Sequence, residues 1–144
     1  MAIQRGSMAL LVGIAIVGSA QSISAQTETF KARLSRVPVE SSTLAAITGL
    51  GSVTAVLNGR SLSVRGTFEG LQTPATLAQI HLGPKGVRGP VMFDLTVTKA
   101  TSGSITGTLT LSPEQVEAVK RGRFYIQVHS EKAPDGNLWG WLLP

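Results

Sequence analysis

Val53–Phe68 reads VTAVLNGRSLSVRGTF. Val53, Ala55 and Leu57 take every second place up to Asn58-Gly59, and beyond it Leu62, Val64, Gly66 and Phe68 alternate with Ser63, Arg65 and Thr67. Successive side chains of a strand point to opposite faces, so this pattern marks strands with one face in a core and one in water. Asn-Gly between two such runs predicts a tight hairpin, because both central residues of a type I′ turn need positive φ. The stretch therefore reads as two antiparallel strands.

The same alternation recurs on both sides. Phe30, Ala32 and Leu34 interleave with Lys31, Arg33 and Ser35, and Pro38 closes that run. After Pro74, Ala78–Leu82 predicts a strand, GPKGVRGP over 83–90 a rigid loop, and Val91, Phe93, Leu95 and Val97 an inward face opposite Met92, Asp94, Thr96 and Thr98. Thr101–Gly103 turns the chain into a strand with Ile105, Gly107, Leu109 and Leu111 inward. Near the end, Phe124, Ile126 and Val128 alternate with Tyr125, Gln127 and His129, the segment SEKAPDGN over 130–137 is expected to turn, and Leu138–Leu143 closes as a strand. One short helix interrupts the series: Ser112 can cap it, Pro113 suits its first position, Gln115 completes a capping-box spacing and Gly122 can end it. About eight strands with turns at this spacing predict an all-β fold, a sandwich or barrel with one connector helix.

Composition agrees. Of 144 residues, 42% are hydrophobic, 15% are charged and 16 are glycine, which suits one globular domain of short segments. Cysteine is absent, excluding disulfides, thiol nucleophiles, thiolate metal sites and a lipid-modified cysteine. The charge is +5, with basic residues scattered rather than in a run, and nucleic acid is not an expected partner.

The first 25 residues read as an address. Arg5 precedes ALLVGIAIV over 9–17, an apolar run of secretory-signal length that falls short of the roughly 20 residues needed to span a bilayer. Ala20 and Ala25 each end a small-residue cleavage pattern, with Ala25 the preferred point. The expectation is a signal over 1–25, a single domain over 26–144 with no membrane span after cleavage, and a periplasmic or secreted location.

Few residues carry chemistry. The two histidines each follow a glutamine by two places, in Gln79-Ile80-His81 and Gln127-Val128-His129, so period two sets each pair on the face opposite Ile80 and Val128. If the two strands meet, the four form a polar cluster able to hold a ligand or weakly coordinate a metal; otherwise they are a solvated polar face. Lys85 and Arg88 lie in a loop read first as a structural turn and alternatively as a contact for an anionic partner. It is not a phosphate loop, because Pro90 leads into a strand rather than a helix. Trp139 and Trp141 share one strand face, as a platform for sugar rings or as cover for a sheet. No nucleophile elbow is present, since Ile105 stands where GSITG would need serine, and no carboxylate pair suggests glycoside hydrolysis.

In order and spacing these segments resemble the CHRD family, named for a domain of the extracellular protein chordin and found singly in exported bacterial proteins. The resemblance covers FKARLS from Phe30, the strand ending in Phe68-Glu69-Gly70-Leu71, AQIHLGPKGVRGPVMFDL from Ala78, GRFYIQVHS from Gly122 and PDGNLWGWL from Pro134. The family pattern is roughly AHIHxG, GxxGPV, YVNVHT and PGGEIRGQL. This chain departs from it at polar positions, with Gln79 for the first histidine, Gln127 for the asparagine, Ser130 for the threonine, and Asn137 and Trp139 for the glutamate and arginine. The resemblance implies an immunoglobulin-like or superoxide-dismutase-like antiparallel β-sandwich. Any site built on the missing residues does not carry over, a three-imidazole metal site least of all.

The functional expectation is an exported, non-catalytic binding or assembly module whose partner is an unidentified envelope or extracellular protein. Its surface would comprise Gln79, His81, Lys85, Arg88, Gln127 and His129, and no cofactor is expected. The alternative is a small-ligand or metal-binding protein, for copper or zinc, using His81 and His129.

Overall fold

A computed structural model describes residues 13–15, 18, 19 and 26–144. The cleavage points at Ala20 and Ala25, and most of the segment read as a signal, lie outside these residues. Eight antiparallel strands and one helix follow in the order β1 (Thr27–Arg36), β2 (Leu50–Asn58), β3 (Ser61–Glu69), β4 (Ala75–Leu82), β5 (Val91–Val97), β6 (Gly103–Thr110), α1 (Pro113–Lys120), β7 (Phe124–Ser130) and β8 (Ala133–Trp141). Among the described residues no helix is long and apolar enough to cross a membrane.

The hairpin of β2 and β3 forms with its turn one residue later than Asn-Gly predicts. Asn58 pairs with Ser61 as the last strand position, and Gly59 carries a φ of +62° while no non-glycine among the described residues has positive φ. Gly59-Arg60 is thus the two-residue loop, with glycine at the first central place as in a type II′ turn. The Arg60 side chain then donates through Nε to the Leu111 carbonyl at 2.6 Å, tying this turn to the entry of α1.

α1 begins as its sequence predicts. Ser112 Oγ accepts from the Gln115 N–H and Gln115 Oε1 accepts from the Ser112 N–H, so two of the amides that a helix start leaves unpaired are satisfied reciprocally. Val119 is buried, and Val116 and Ala118 pack beside the main core.

The all-β, antiparallel expectation holds, and the strands close into a ring in the order β1-β2-β3-β6-β5-β4-β7-β8. Two well-paired groups, β1-β2-β3-β6 and β5-β4-β7-β8, are joined by short seams. β5 meets β6 only at Thr96↔Thr106 and Val97↔Ile105, and β1 meets β8 at Ser35↔Trp139 and Arg36↔Leu138. These seams make the architecture a closed barrel in place of the two open sheets of a sandwich, and closure removes free strand edges that would otherwise pair with other chains.

Inside the ring, Phe30, Leu34, Leu62, Ile80, Ile105, Phe124, Ile126, Leu138 and Leu142 are all buried in one core. Sealing each such side chain stabilises the fold by about 1.5–3 kcal/mol before ordering entropy is counted. Two local predictions are corrected by the register. Ile80 pairs with Phe93 but His81 with Val91, a bulge in β5 that leaves Met92 over and turns Val91 outward, half exposed. The expected 130–137 loop shrinks to Glu131-Lys132, because Ser130 pairs with Ala133 and β8 runs from there to Trp141.

A smaller cluster of Val37, Ile47, Ala133 and Trp139 holds the excursion between β1 and β2. Buried Asn137 organises it: Nδ2 donates to the Thr48 carbonyl at 2.7 Å and Oδ1 accepts from Ser130 Oγ at 2.8 Å.

Candidate functional site

β4 and β7 are neighbours in the ring, so the two Gln-x-His segments lie side by side. Gln79 sits opposite Gln127, His81 opposite Tyr125 and Leu77 opposite His129. On the far side of β7, Tyr125 faces Trp141 and Gln127 faces Trp139. Since Ile80, Ile126, Val128, Leu138 and Leu142 fill the barrel, period two sets His81, Tyr125, Gln127, His129, Trp139 and Trp141 together on the outer surface of this wall.

That outer surface is nevertheless largely sealed. Tyr125 is 0% exposed, Gln127 2%, and His81 and Trp141 8% each. The loop 83–90 is strapped over it by Gly89, whose N–H donates to Tyr125 Oη at 2.9 Å and whose carbonyl oxygen accepts from His81 Nδ1 at 2.9 Å. Trp141 Nε1 donates to the Gly83 carbonyl at 2.9 Å at the start of the same loop. Only glycine fits at 89, where a Cβ would overlap the Leu82 carbonyl oxygen. The structural-turn reading of GPKGVRGP thus acquires a specific task, that of a cover.

Beneath it the rings stack in series. His81 lies on Tyr125 at 4.9 Å with 17° between planes, Tyr125 on Trp141 at 4.6 Å, and Trp139 meets Trp141 edge to face at 4.8 Å. His81 and His129 project from register positions four pairs apart, yet their ring centres are 6.5 Å apart with planes 28° from parallel. The start of β8 holds the other side: the Pro134 carbonyl accepts from His129 Nδ1 at 2.8 Å, and the Asp135 carbonyl accepts from Gln127 Nε2 at 2.9 Å and from Arg88 at 3.0 Å. Gly136 has φ +130°, and a Cβ there would strike the Gln127 amide.

A carbonyl oxygen only accepts, so both imidazoles carry their proton on Nδ1 when neutral and present Nε2 as a bare lone pair. Both Nε2 atoms are shut off from solvent and have no partner, the only such buried side-chain nitrogen or oxygen atoms among the described residues. Burial holds the His129 pKa below the ordinary 6.5, helped by the charges of His81 and Arg88 and opposed by the Pro134 hydrogen bond and Asp135.

Of the six residues picked from sequence, four come together: His81, Gln127 and His129 under the cover, and Arg88 at its edge with its guanidinium 5.6 Å over the Trp139 ring. Gln79 is committed elsewhere, donating to Asp94 Oδ1 at 2.9 Å. Lys85 stands exposed on the loop and borders a shallow groove floored by Trp139, Gly140 and Trp141, with Lys31 and Arg33 on its other bank. Trp139 is half-buried in that floor, and Trp141 is sealed and covers the sheet. Tyr125 was legible only as a member of the Gln127/His129 face, and the acceptors Gly89, Pro134 and Asp135 act through backbone atoms that carry no side-chain signature.

No curated protein and no solved structure matches the chain. A profile for the CHRD domain matches residues 30–142, a span that takes in β1 from Phe30 onward, the other seven strands, both histidines, the cover and the tryptophan pair. The chain belongs to the CHRD domain family.

Proposed function

We propose that this chain is an exported, non-catalytic binding or assembly module whose working surface is the covered wall of β4, β7 and β8 together with the 83–90 loop. The observation that carries the reading is the groove beside Trp139. Lys31, Arg33 and Lys85 line it with no carboxylate among its lining residues, and Arg88 stacks on its tryptophan floor. A positive rim around an aromatic floor suits an anionic segment of an envelope or extracellular protein, since such charges speed and orient encounter while the ring supplies desolvated contact area. The test is capture from an envelope extract by the immobilised chain beside its Lys31→Glu/Lys85→Glu variant. A partner recovered at low salt, released by added salt and lost with the variant supports the assignment; equal recovery by the variant refutes it.

A second reading is favoured by the two unpartnered Nε2 atoms. It makes the same wall a binding site for a small ligand or metal, with His81 and His129 as its donors.

A further inference from the structure

This inference rests on the second reading and specifies its ligand. Leaving a buried acceptor unmet is destabilising, and this wall holds two, on rings 6.5 Å apart. A bare imidazole nitrogen is satisfied by a proton donor or by a metal ion. Each Nδ1–H is anchored on a backbone carbonyl, Gly89 for His81 and Pro134 for His129, which is the outer-sphere arrangement that fixes the tautomer and heading of a ligating histidine.

Geometry and charge narrow the ion. With metal–nitrogen bonds of about 2 Å, two imidazoles facing each other across a straight N–metal–N axis have ring centres about 6 Å apart, and a tetrahedral angle brings them to about 5 Å. The observed separation of 6.5 Å between ring centres is nearer the straight value than the tetrahedral one. Zinc completes four ligands, and among the described residues no group of three or more His, Cys, Asp or Glu gathers in reach of one ion. Arg88, fastened at the edge of the same site, penalises a divalent ion more than a monovalent one. Closed-shell monovalent copper is content with two nitrogens in a line, and imidazole is among the ligands that suit copper. We propose that His81 and His129 form a two-coordinate site for monovalent copper, bound Nε2 to Nε2 beneath the 83–90 cover.

The full chain, freed of metal and kept anaerobic under ascorbate, is titrated with Cu(I) against a chromophoric Cu(I) chelator, and separately with Zn(II). One Cu(I) per chain is expected, held at least a hundredfold more tightly than zinc, with two nitrogen neighbours by X-ray absorption. In the unaltered protein, histidine ¹⁵N spectra should show both Nε2 signals move on copper addition while both Nδ1 protons remain. His129→Ala should weaken capture at least a hundredfold with an unchanged circular dichroism spectrum; the histidine spectra decide the matter even if that variant misfolds. Failure to take up Cu(I), uptake without movement of the Nε2 signals, or zinc bound as tightly as copper overturns the proposal. Copper binding by the Lys31→Glu/Lys85→Glu variant should equal that of the unaltered chain, so a failed copper titration and a failed partner capture are read independently.

Discussion

Tyr125→Phe isolates the strap that turns an outer barrel face into a covered one. The substitution keeps the ring stacked between His81 and Trp141 and removes only the oxygen that accepts from the Gly89 N–H at 2.9 Å. A net hydrogen bond contributes about 0.5–1.5 kcal/mol, and an amide left without a partner adds a penalty toward the low end of about 1–3 kcal/mol, because Gly89 is only half-buried. The expected loss is therefore about 1.5–2.5 kcal/mol, or roughly 5–12 °C in Tm for a domain near 120 residues. Urea unfolding gives the global loss, and amide exchange gives its place. Protection should fall most at Gly89 and Val87, whose N–H donates to the Pro84 carbonyl within the loop, and little in β2 and β3 on the opposite wall. Unchanged stability together with unchanged exchange at Gly89 would refute the strap.

Three further outcomes follow from the same contacts. For metal-free protein, the His129 pKa is depressed on folding, so between the folded value and about 6.5 the unfolded chain binds more protons and stability rises with pH. That contribution is complete above about pH 6.5 and is lost as pH falls from there toward the folded value; His129→Gln should flatten this limb in denaturant midpoints measured across pH. Gly89→Ala places a methyl group onto the Leu82 carbonyl oxygen, and should open the 83–90 loop to limited proteolysis at a temperature where the unaltered chain resists it. Asn137→Ala strands the Ser130 hydroxyl and the Thr48 carbonyl at a cost of about 2–4 kcal/mol, and Ser130→Ala in the same background should add far less than it costs alone, which a double-mutant cycle measures.

The amino-acid sequence by itself determined which side chains share a face. Phe30/Ala32/Leu34, Leu62/Val64/Phe68 and Phe124/Ile126/Val128 alternate because a pleated strand has a period of two, and all are buried. Ser112-Pro113-Glu114-Gln115 determined the start of α1 because its capping bonds close within four residues. The kinship implied by the His81, GPV and VHS segments was likewise legible, since the family pattern is written in short contiguous blocks. Tertiary structure alone decided what those faces meet. Gln79 and Gln127 looked equivalent in sequence, but β5 presents Asp94 to one and the start of β8 presents the Asp135 carbonyl to the other. His81 and His129 come within 6.5 Å only because β4 and β7 are neighbours in the ring and both rings lean across the intervening pair. Closure of the barrel rests on two short seams and a Lys31–Leu143 bridge, which leave no sequence pattern of their own. Likewise, an alternating strand records that its polar face lies outside the core, but whether water or a loop covers that face depends on bonds made by backbone atoms such as those of Gly89, which every residue possesses and no sequence pattern distinguishes.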